Sequence, residues 1–371
     1  MTSFDVDVAL RDPKACRAVL EKIEKAVDGQ SLRFMEVCGT HTVALFRSGV
    51  HSLLPKSVIH LTGPGCPVCV THESEVAAYL ELAGKDRVII ATFGDLMRVP
   101  GPNGMNLKKA VAQGARVEVV YSPFDALTIA ADNPGDKVVF LGIGFETTAP
   151  TVAATVRVAA ERQLKNFFVM AFHKLVPPAL DALLGDPAMA VEGFMLPGHV
   201  SAIIGLKPYQ PLADRYHIPS VVAGFEPLDL LQAILLMAEM KRQGKPRVVN
   251  NYTRVVSAEG NPKAIAILYE VYEPCDALWR GIGTIPKSGL AFSGAYKAFD
   301  AFQAFGLTLK ESKPLPGCRC GEVLKGVMPP NKCPLFGKAC TPATPVGPCM
   351  VSTEGSCAAY FKYHLDQSSG R

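Results

Sequence analysis

Nine of the eleven cysteines form two groups at opposite ends of the chain. Three lie early, in Val37-Cys38-Gly39-Thr40-His41 and Gly63-Pro64-Gly65-Cys66-Pro67-Val68-Cys69. Six lie late: Cys318, Cys320, Cys333, Cys340, Cys349 and Cys357. Cys16 and Cys275 stand apart and have no evident role. Thiols are soft metal ligands and redox groups, so two groups point to two chemical centres. Cys66-Pro67-Val68-Cys69 is a C-x-x-C, able to close a small disulfide or share a metal. A helix starting there lowers a thiolate pKa, and Glu73 and Glu75 suit the N-terminus of the following helix. Half a zinc site is the alternative, but no second C-x-x-C or H-x₃₋₅-H stands at zinc-finger spacing. Cys38 reads either as a small buried hydrophobe or as an accessible sulfur activated where a helix starts. His41 is open between helix cap and function, His199 after Pro-Gly is equally open, and Asp95 and Glu146 read as site acids or caps. Four of the six late thiols could hold a [4Fe–4S] cluster or a zinc ion, and spacing alone does not choose which four.

Eight short β-branched runs supply the frame for these residues: 33–37, 58–61, 87–91, 117–121, 137–141, 167–171, 192–196 and 220–223. Helical patterns such as 73–82, 107–113, 151–163 and 177–184 alternate with them, as in a parallel sheet covered on both faces. The motif residues follow the carboxyl ends of the runs, where open α/β sheets and barrels both build sites. One eight-stranded barrel and two four-stranded sheets both fit. The turn at Asn133-Pro134-Gly135-Asp136 falls midway and favours two sheets, dividing 30–133 from 134–245. An amphipathic helix (Ala15, Val19, Ile23, Val27) precedes the runs, and an apolar helix extends from Glu226 to about Gln243. Beyond Arg247, Tyr252, Val255 and Val256 read as strand and 261–272 as helix. From Ser312 onward the chain has too little apolar material for its own core and needs a metal or cross-links.

Composition removes several classes of function. The 371 residues carry a net charge of +4, with lysines and arginines scattered, which argues against nucleic-acid binding. No basic and apolar leader of the secretory type opens the sequence, and the most apolar stretch, 228–240, is short and interrupted by Asp229, Gln232 and Glu239. A cytoplasmic protein with no membrane span is expected, and in a reducing compartment clustered thiols mean metal or redox work. No phosphate loop of the Gly-x-x-x-x-Gly-Lys-Ser/Thr kind is present.

Several strings, in order along nearly the whole chain, resemble the hydrogenase maturation factor HypD family. Besides the two early cysteine strings they are Phe145-Glu146-Thr147-Thr148, Pro197-Gly198-His199-Val200-Ser201, Val222-Ala223-Gly224-Phe225-Glu226-Pro227, Cys318-Arg319-Cys320-Gly321 and Gly347-Pro348-Cys349-Met350-Val351-Ser352. The resemblance implies two similar α/β domains and a third, formed by 1–29 with 246–371, carrying a [4Fe–4S] cluster. It implies a redox-active scaffold, rather than a free-standing catalyst, on which the Fe(CN)₂CO unit of [NiFe]-hydrogenases is assembled. A HypC-type small chaperone would share the iron, a HypE-type protein would deliver cyanide, and the hydrogenase large subunit would be the indirect recipient. Cys38 would hold the iron, with His41 and the Cys66/Cys69 pair beside it. Cys318, Cys333, Cys340 and Cys357 would hold the cluster, leaving Cys320 and Cys349 as a second redox dithiol. A free-standing iron–sulfur thiol–disulfide oxidoreductase and a structural zinc protein are the rival readings.

Overall fold

The structure is a computed structural model that describes residues 8–186, 189–312 and 314–368. All eight β-branched runs are strands: β1 (Leu32–Glu36), β2 (Val58–Thr62), β3 (Val88–Thr92), β4 (Arg116–Val119), β5 (Lys137–Gly142), β6 (Phe167–Ala171), β7 (Gly193–Pro197) and β8 (Ser220–Ala223). A ninth, β9 (Val248–Asn250), precedes the segment Tyr252–Val256, which turns instead of extending as expected. Every strand pair among these nine is parallel. The intervening helices include Glu73–Ala83, Ala149–Glu161 and Val176–Leu184, which cover the faces that parallel strands must bury.

The strands form two sheets and not a barrel, but the chain does not divide at residue 133. The first sheet has the order β2-β1-β7-β8-β9 and the second β4-β3-β5-β6. The chain therefore leaves the first sheet after β2, builds the whole second sheet, and returns at β7. The Asn133–Asp136 turn is an internal helix-to-strand connection. The Asn166 side-chain amide fastens it, donating to the carbonyls of Ala130, Asn133 and Asp136 at 2.8–3.0 Å, so its turn chemistry marks a stapled loop and not a domain border.

The N-terminal helix, Pro13–Val27, is capped by Asp12 and has Pro at its first turn. It packs on the Pro227–Gln243 helix and joins the apolar core under β1, β7 and β8 through Ile23, Ala26 and Val27. Residues 13–27 thus belong with the first sheet and not with the cysteine-rich region. The Pro227–Gln243 helix is buried on much of its surface, and no described helix is long and apolar enough to cross a membrane. An antiparallel hairpin, β10 (Tyr272–Trp279) and β11 (Gly283–Phe292), follows the Pro262–Val271 helix. Its tip reaches the early C-x-x-C, with Trp279 bridging Thr71. The cysteine-rich region is mostly turns up to the Ser356–Ser368 helix, which lies against Gly39–Arg47.

Candidate thiol site in the cleft between the sheets

In each sheet the strand order reverses once, between β1 and β7 in the first and between β3 and β5 in the second. A crevice opens at such a point because the flanking connections run to opposite sides. Here both crevices contribute to one cleft of about 740 Å³. Val37, Cys38 and Thr40 reach it from β1, Pro197 and His199 from β7, Phe93 and Asp95 from β3, and Phe145 and Thr147 from β5. Thr353 and Glu354 close it from the cysteine-rich region.

Cys38 is 7% exposed and stands at the N-cap of the Gly39–Arg47 helix. Its backbone N–H donates to Glu36 Oε2 at 2.9 Å, and Glu36 Oε1 accepts from Thr42 Oγ1. Burial, followed by the nearby Glu354 carboxylate, pushes the Cys38 thiol up to about 12. Without a metal it therefore holds its proton, and a bound cation would have to displace it. Two glycines let three segments meet there. A Cβ on Gly65 would lie 2.1 Å from the Cys38 nitrogen, and one on Gly39 would lie 2.2 Å from the Glu354 carbonyl oxygen. Thr40 Oγ1 donates to Glu354 Oε1 at 2.8 Å. Glu354 is a site residue that sequence reasoning missed.

Asp95 and His199 are both on the cleft wall. Burial raises the first and lowers the second. His199 stacks on Phe225, with centroids 4.2 Å apart, and His41 packs on the same ring at 4.7 Å. His41 is not among the cleft-lining residues. Its Nε2 lies 3.2 and 3.1 Å from the Ala223 and Gly224 carbonyls, so Nε2 carries the proton and ties β1 to β8. Burial holds it down to about 4. In this arrangement His41 is held behind the cleft wall by backbone contacts. Glu146 also turns from the cleft: Oε1 accepts the Val176 N–H at 2.9 Å, Oε2 is buried without a partner, and burial raises the carboxyl to about 7.

These buried groups set the pH dependence of stability. A carboxyl raised from 4.5 to about 7 loses folding free energy as pH climbs between those values, since only the unfolded chain ionises there. His41 and His60, lowered from 6.5 to about 4, lose it as pH falls through that interval. Stability should therefore fall on both sides of a maximum. Glu146→Gln is expected to remove the loss this carboxyl imposes, so that the variant's stability relative to the unaltered protein grows by up to about 3 kcal/mol between pH 5 and 7, at about 1.4 kcal/mol per unit. Urea unfolding followed by the single buried tryptophan, Trp279, measures this.

Cys66 and Cys69 are disulfide-bonded and buried, and Pro67 and Val68 between them line the cleft. Their short helix, Pro67–Val70, packs on the Pro348–Met350 turn that carries Cys349. Arg280 at the hairpin tip joins the two regions. Its N–H donates to the Val70 carbonyl and its Nε to the Thr71 carbonyl, both at 2.9 Å, while Nη1 pairs with Glu73 at 2.5 Å. The adjoining Gly281 presses against Gly321, where a Cβ would lie 2.1 Å from the partner Cα.

All six late cysteines line one pocket, with Val323, Leu335, Phe336 and Met350 as apolar walls. The neighbouring thiols perturb one another's ionisation: Cys320 and burial raise Cys318, and Cys320 and Cys357 raise Cys349. The fold thus brings together Cys320 and Cys349, and places Cys318, Cys333, Cys340 and Cys357 around the same space. A soft sulfur donor set in an apolar pocket fits an iron–sulfur cluster. The thiols are not drawn up at ligand spacing: among the described residues no group of three or more His, Cys, Asp or Glu is placed to hold an ion. Cys16 is on the N-terminal helix and Cys275 on β10, away from both centres.

Residues 14–364 match the HypD family, described as "Hydrogenase formation hypA family". The chain is 44% identical over 366 residues to "Hydrogenase maturation factor HypD2" of Bradyrhizobium diazoefficiens, covering 97% of this chain and 95% of that protein. It is 44% identical to "Hydrogenase maturation factor HypD" of Rhodobacter capsulatus, covering 95% and 96%, and 46% identical to the protein so named in Escherichia coli, covering 91% and 90%. With the family matched from the N-terminal helix to the last one, the chain belongs to the HypD family of hydrogenase maturation factors.

Proposed function

We propose that this protein is a redox-active scaffold on which an iron carrying cyanide and carbon monoxide is assembled for [NiFe]-hydrogenases. The observation that carries the reading is the placement of Cys38 where both sheets' crevices meet, with a disulfide and a six-thiol pocket packed in series behind it. Iron is the cargo. Cyanide and carbon monoxide favour low-spin Fe(II), which suits a soft thiolate. Binding displaces the Cys38 proton to solvent in the cleft, and the N–H groups at the helix start then face the thiolate. Asp95 and His199 border the space left for the iron's other ligands. A HypC-type chaperone sharing the iron and a HypE-type cyanide donor approach through this cleft.

Cys318, Cys333, Cys340 and Cys357 would hold a [4Fe–4S] cluster, which supplies one-electron reducing equivalents when bound. The chain's own part is thiol exchange. With Cys320 and Cys349 as a dithiol, one thiolate attacks the Cys66–Cys69 disulfide. The mixed disulfide resolves to a Cys320–Cys349 disulfide and two free thiols at Cys66 and Cys69. Two electrons and two protons move from one pair to the other, and no further reagent is consumed.

The test is infrared spectroscopy of the protein co-purified with its small chaperone from a hydrogenase-producing host. Cyanide and carbonyl stretches are expected. Their absence from a complex that contains both proteins would contradict the scaffold and leave the oxidoreductase reading.

A further inference from the structure

The turn that carries Cys38 from β1 into the Gly39–Arg47 helix is bracketed by one side chain. Glu36, the last residue of β1, is 1% exposed. Its Oε2 accepts the Cys38 N–H at 2.9 Å and its Oε1 accepts the Thr42 hydroxyl, so it spans the first helical turn. A helix ordinarily obtains such an acceptor from its own N-cap side chain. The N-cap here is Cys38, and its side chain makes no cap hydrogen bond. The acceptor comes instead from two residues earlier, which leaves the sulfur on the cleft wall available to a ligand.

The main chain ties the same turn to the C-x-x-C loop. The Glu36 carbonyl accepts the Gly63 N–H at 2.9 Å, and the Gly65 carbonyl accepts the Gly39 N–H at 3.0 Å. A carboxyl is costly to bury at this point. Among the described residues no lysine or arginine pairs with Glu36. The ring beside it is His60, with Nε2 3.7 Å from Oε1; it packs on Phe34 and Phe46, and burial holds it neutral. An apolar residue at the end of β1 would avoid the desolvation. It would also leave the buried Cys38 N–H without an acceptor.

We infer that Glu36 is a positioning residue for the iron cargo: through the Cys38 N–H and the Thr42 hydroxyl it fixes the helix start that presents the Cys38 sulfur to the cleft. This rests on the scaffold reading and adds to it a residue that acts only through Cys38. Glu36 works by hydrogen-bond geometry and not by charge. Glutamine reproduces both contacts, accepting from Cys38 with its oxygen and donating to the Thr42 oxygen with its amide. Methionine, similar in length, reproduces neither.

The test compares Glu36→Gln with Glu36→Met in the full-length protein. In the chaperone complex Glu36→Met should lose cyanide and carbonyl band intensity by about tenfold, the factor equivalent to one buried hydrogen bond, while Glu36→Gln stays within about twofold of the unaltered protein. A second readout needs no cargo. In the iron-free protein, iodoacetamide should alkylate Cys38 about tenfold faster in Glu36→Met, because the freed turn opens locally, with Cys16 and Cys275 unchanged. Peptide mass spectrometry follows all three thiols. Equal losses in the two variants would assign the effect to charge, and faster alkylation of all three thiols would assign it to general loosening. Either result overturns the positioning role, as does an unchanged Cys38 rate in Glu36→Met. Bands missing from the unaltered complex would count against the scaffold alone, and the alkylation rates would still judge Glu36. If Glu36→Met does not fold, amide exchange decides, measured by NMR on the unaltered protein labelled with heavy nitrogen at cysteine. The Cys38 N–H should then exchange about a hundredfold more slowly than an unstructured amide, and exchange at the unstructured rate overturns the assignment.

Discussion

Cys38→Ala is expected to abolish every cyanide and carbonyl band in the protein–chaperone complex while leaving the late-cysteine centre intact. The sulfur is the cleft's one thiol on the wall, since Cys66 and Cys69 are bonded to each other and buried behind Pro67 and Val68. No neighbouring group can replace it as a soft ligand: Asp95, Glu354 and His199 offer oxygen or nitrogen. Removing one sulfur from a buried N-cap position leaves a small void and costs about 1 kcal/mol, so the fold survives. The late thiols lie in a separate pocket. Iron and sulfide, four of each per chain, should therefore be unchanged in the anaerobically purified variant. Loss of both signals together would mean that the two centres are one.

Arg280→Met is expected to destabilise the protein by about 3–5 kcal/mol, the usual cost of removing one partner from a buried pair. Arg280 is 2% exposed, and its guanidinium satisfies the Thr71 carbonyl and the buried Glu73. Methionine would leave both acceptors unpaired, with the carboxylate's charge uncompensated. Adding Glu73→Gln should recover part of the loss, because the remaining amide carries no charge to desolvate. Urea unfolding of the single and double variants, again followed by Trp279, measures both. A loss below about 1 kcal/mol for Arg280→Met would show that water enters and solvates Glu73. The same substitution loosens the contact between the hairpin tip and the Pro67–Val70 helix, so stability and thiol exchange should decline together.

What the sequence revealed depended on distance along the chain. Continuous β-branched runs marked all eight of the first strands, because a strand buried on both faces needs apolar residues throughout. Pairing was not readable in the same way. Phe34 pairs with Gly193 across the whole second sheet, and no local signal records that partnership. The Asn133–Asp136 turn looked like a border because Pro and Gly report only the local backbone; the fastening by Asn166 comes from another loop. The late cysteine group was legible because the six thiols that line one pocket lie within forty residues of one another. Glu354 was not, since its hydrogen bond to Thr40 spans 314 positions. The placement of His41 was hidden for a related reason. Its partners, the carbonyls of Ala223 and Gly224, are backbone atoms that carry no sequence signature.

The geometry ends in a single claim, that the late thiols reduce the Cys66–Cys69 disulfide beside the Cys38 cleft. The direct measurement is differential thiol trapping of the full-length, anaerobically purified protein after exposure to reduced methyl viologen. Cys66 and Cys69 should be alkylated as free thiols in the unaltered protein and remain bonded in Cys349→Ser, whose fold is checked by Trp279 emission. Equal reduction of Cys66–Cys69 in both proteins would show that electrons reach the cleft without the late pair, and would contradict the account.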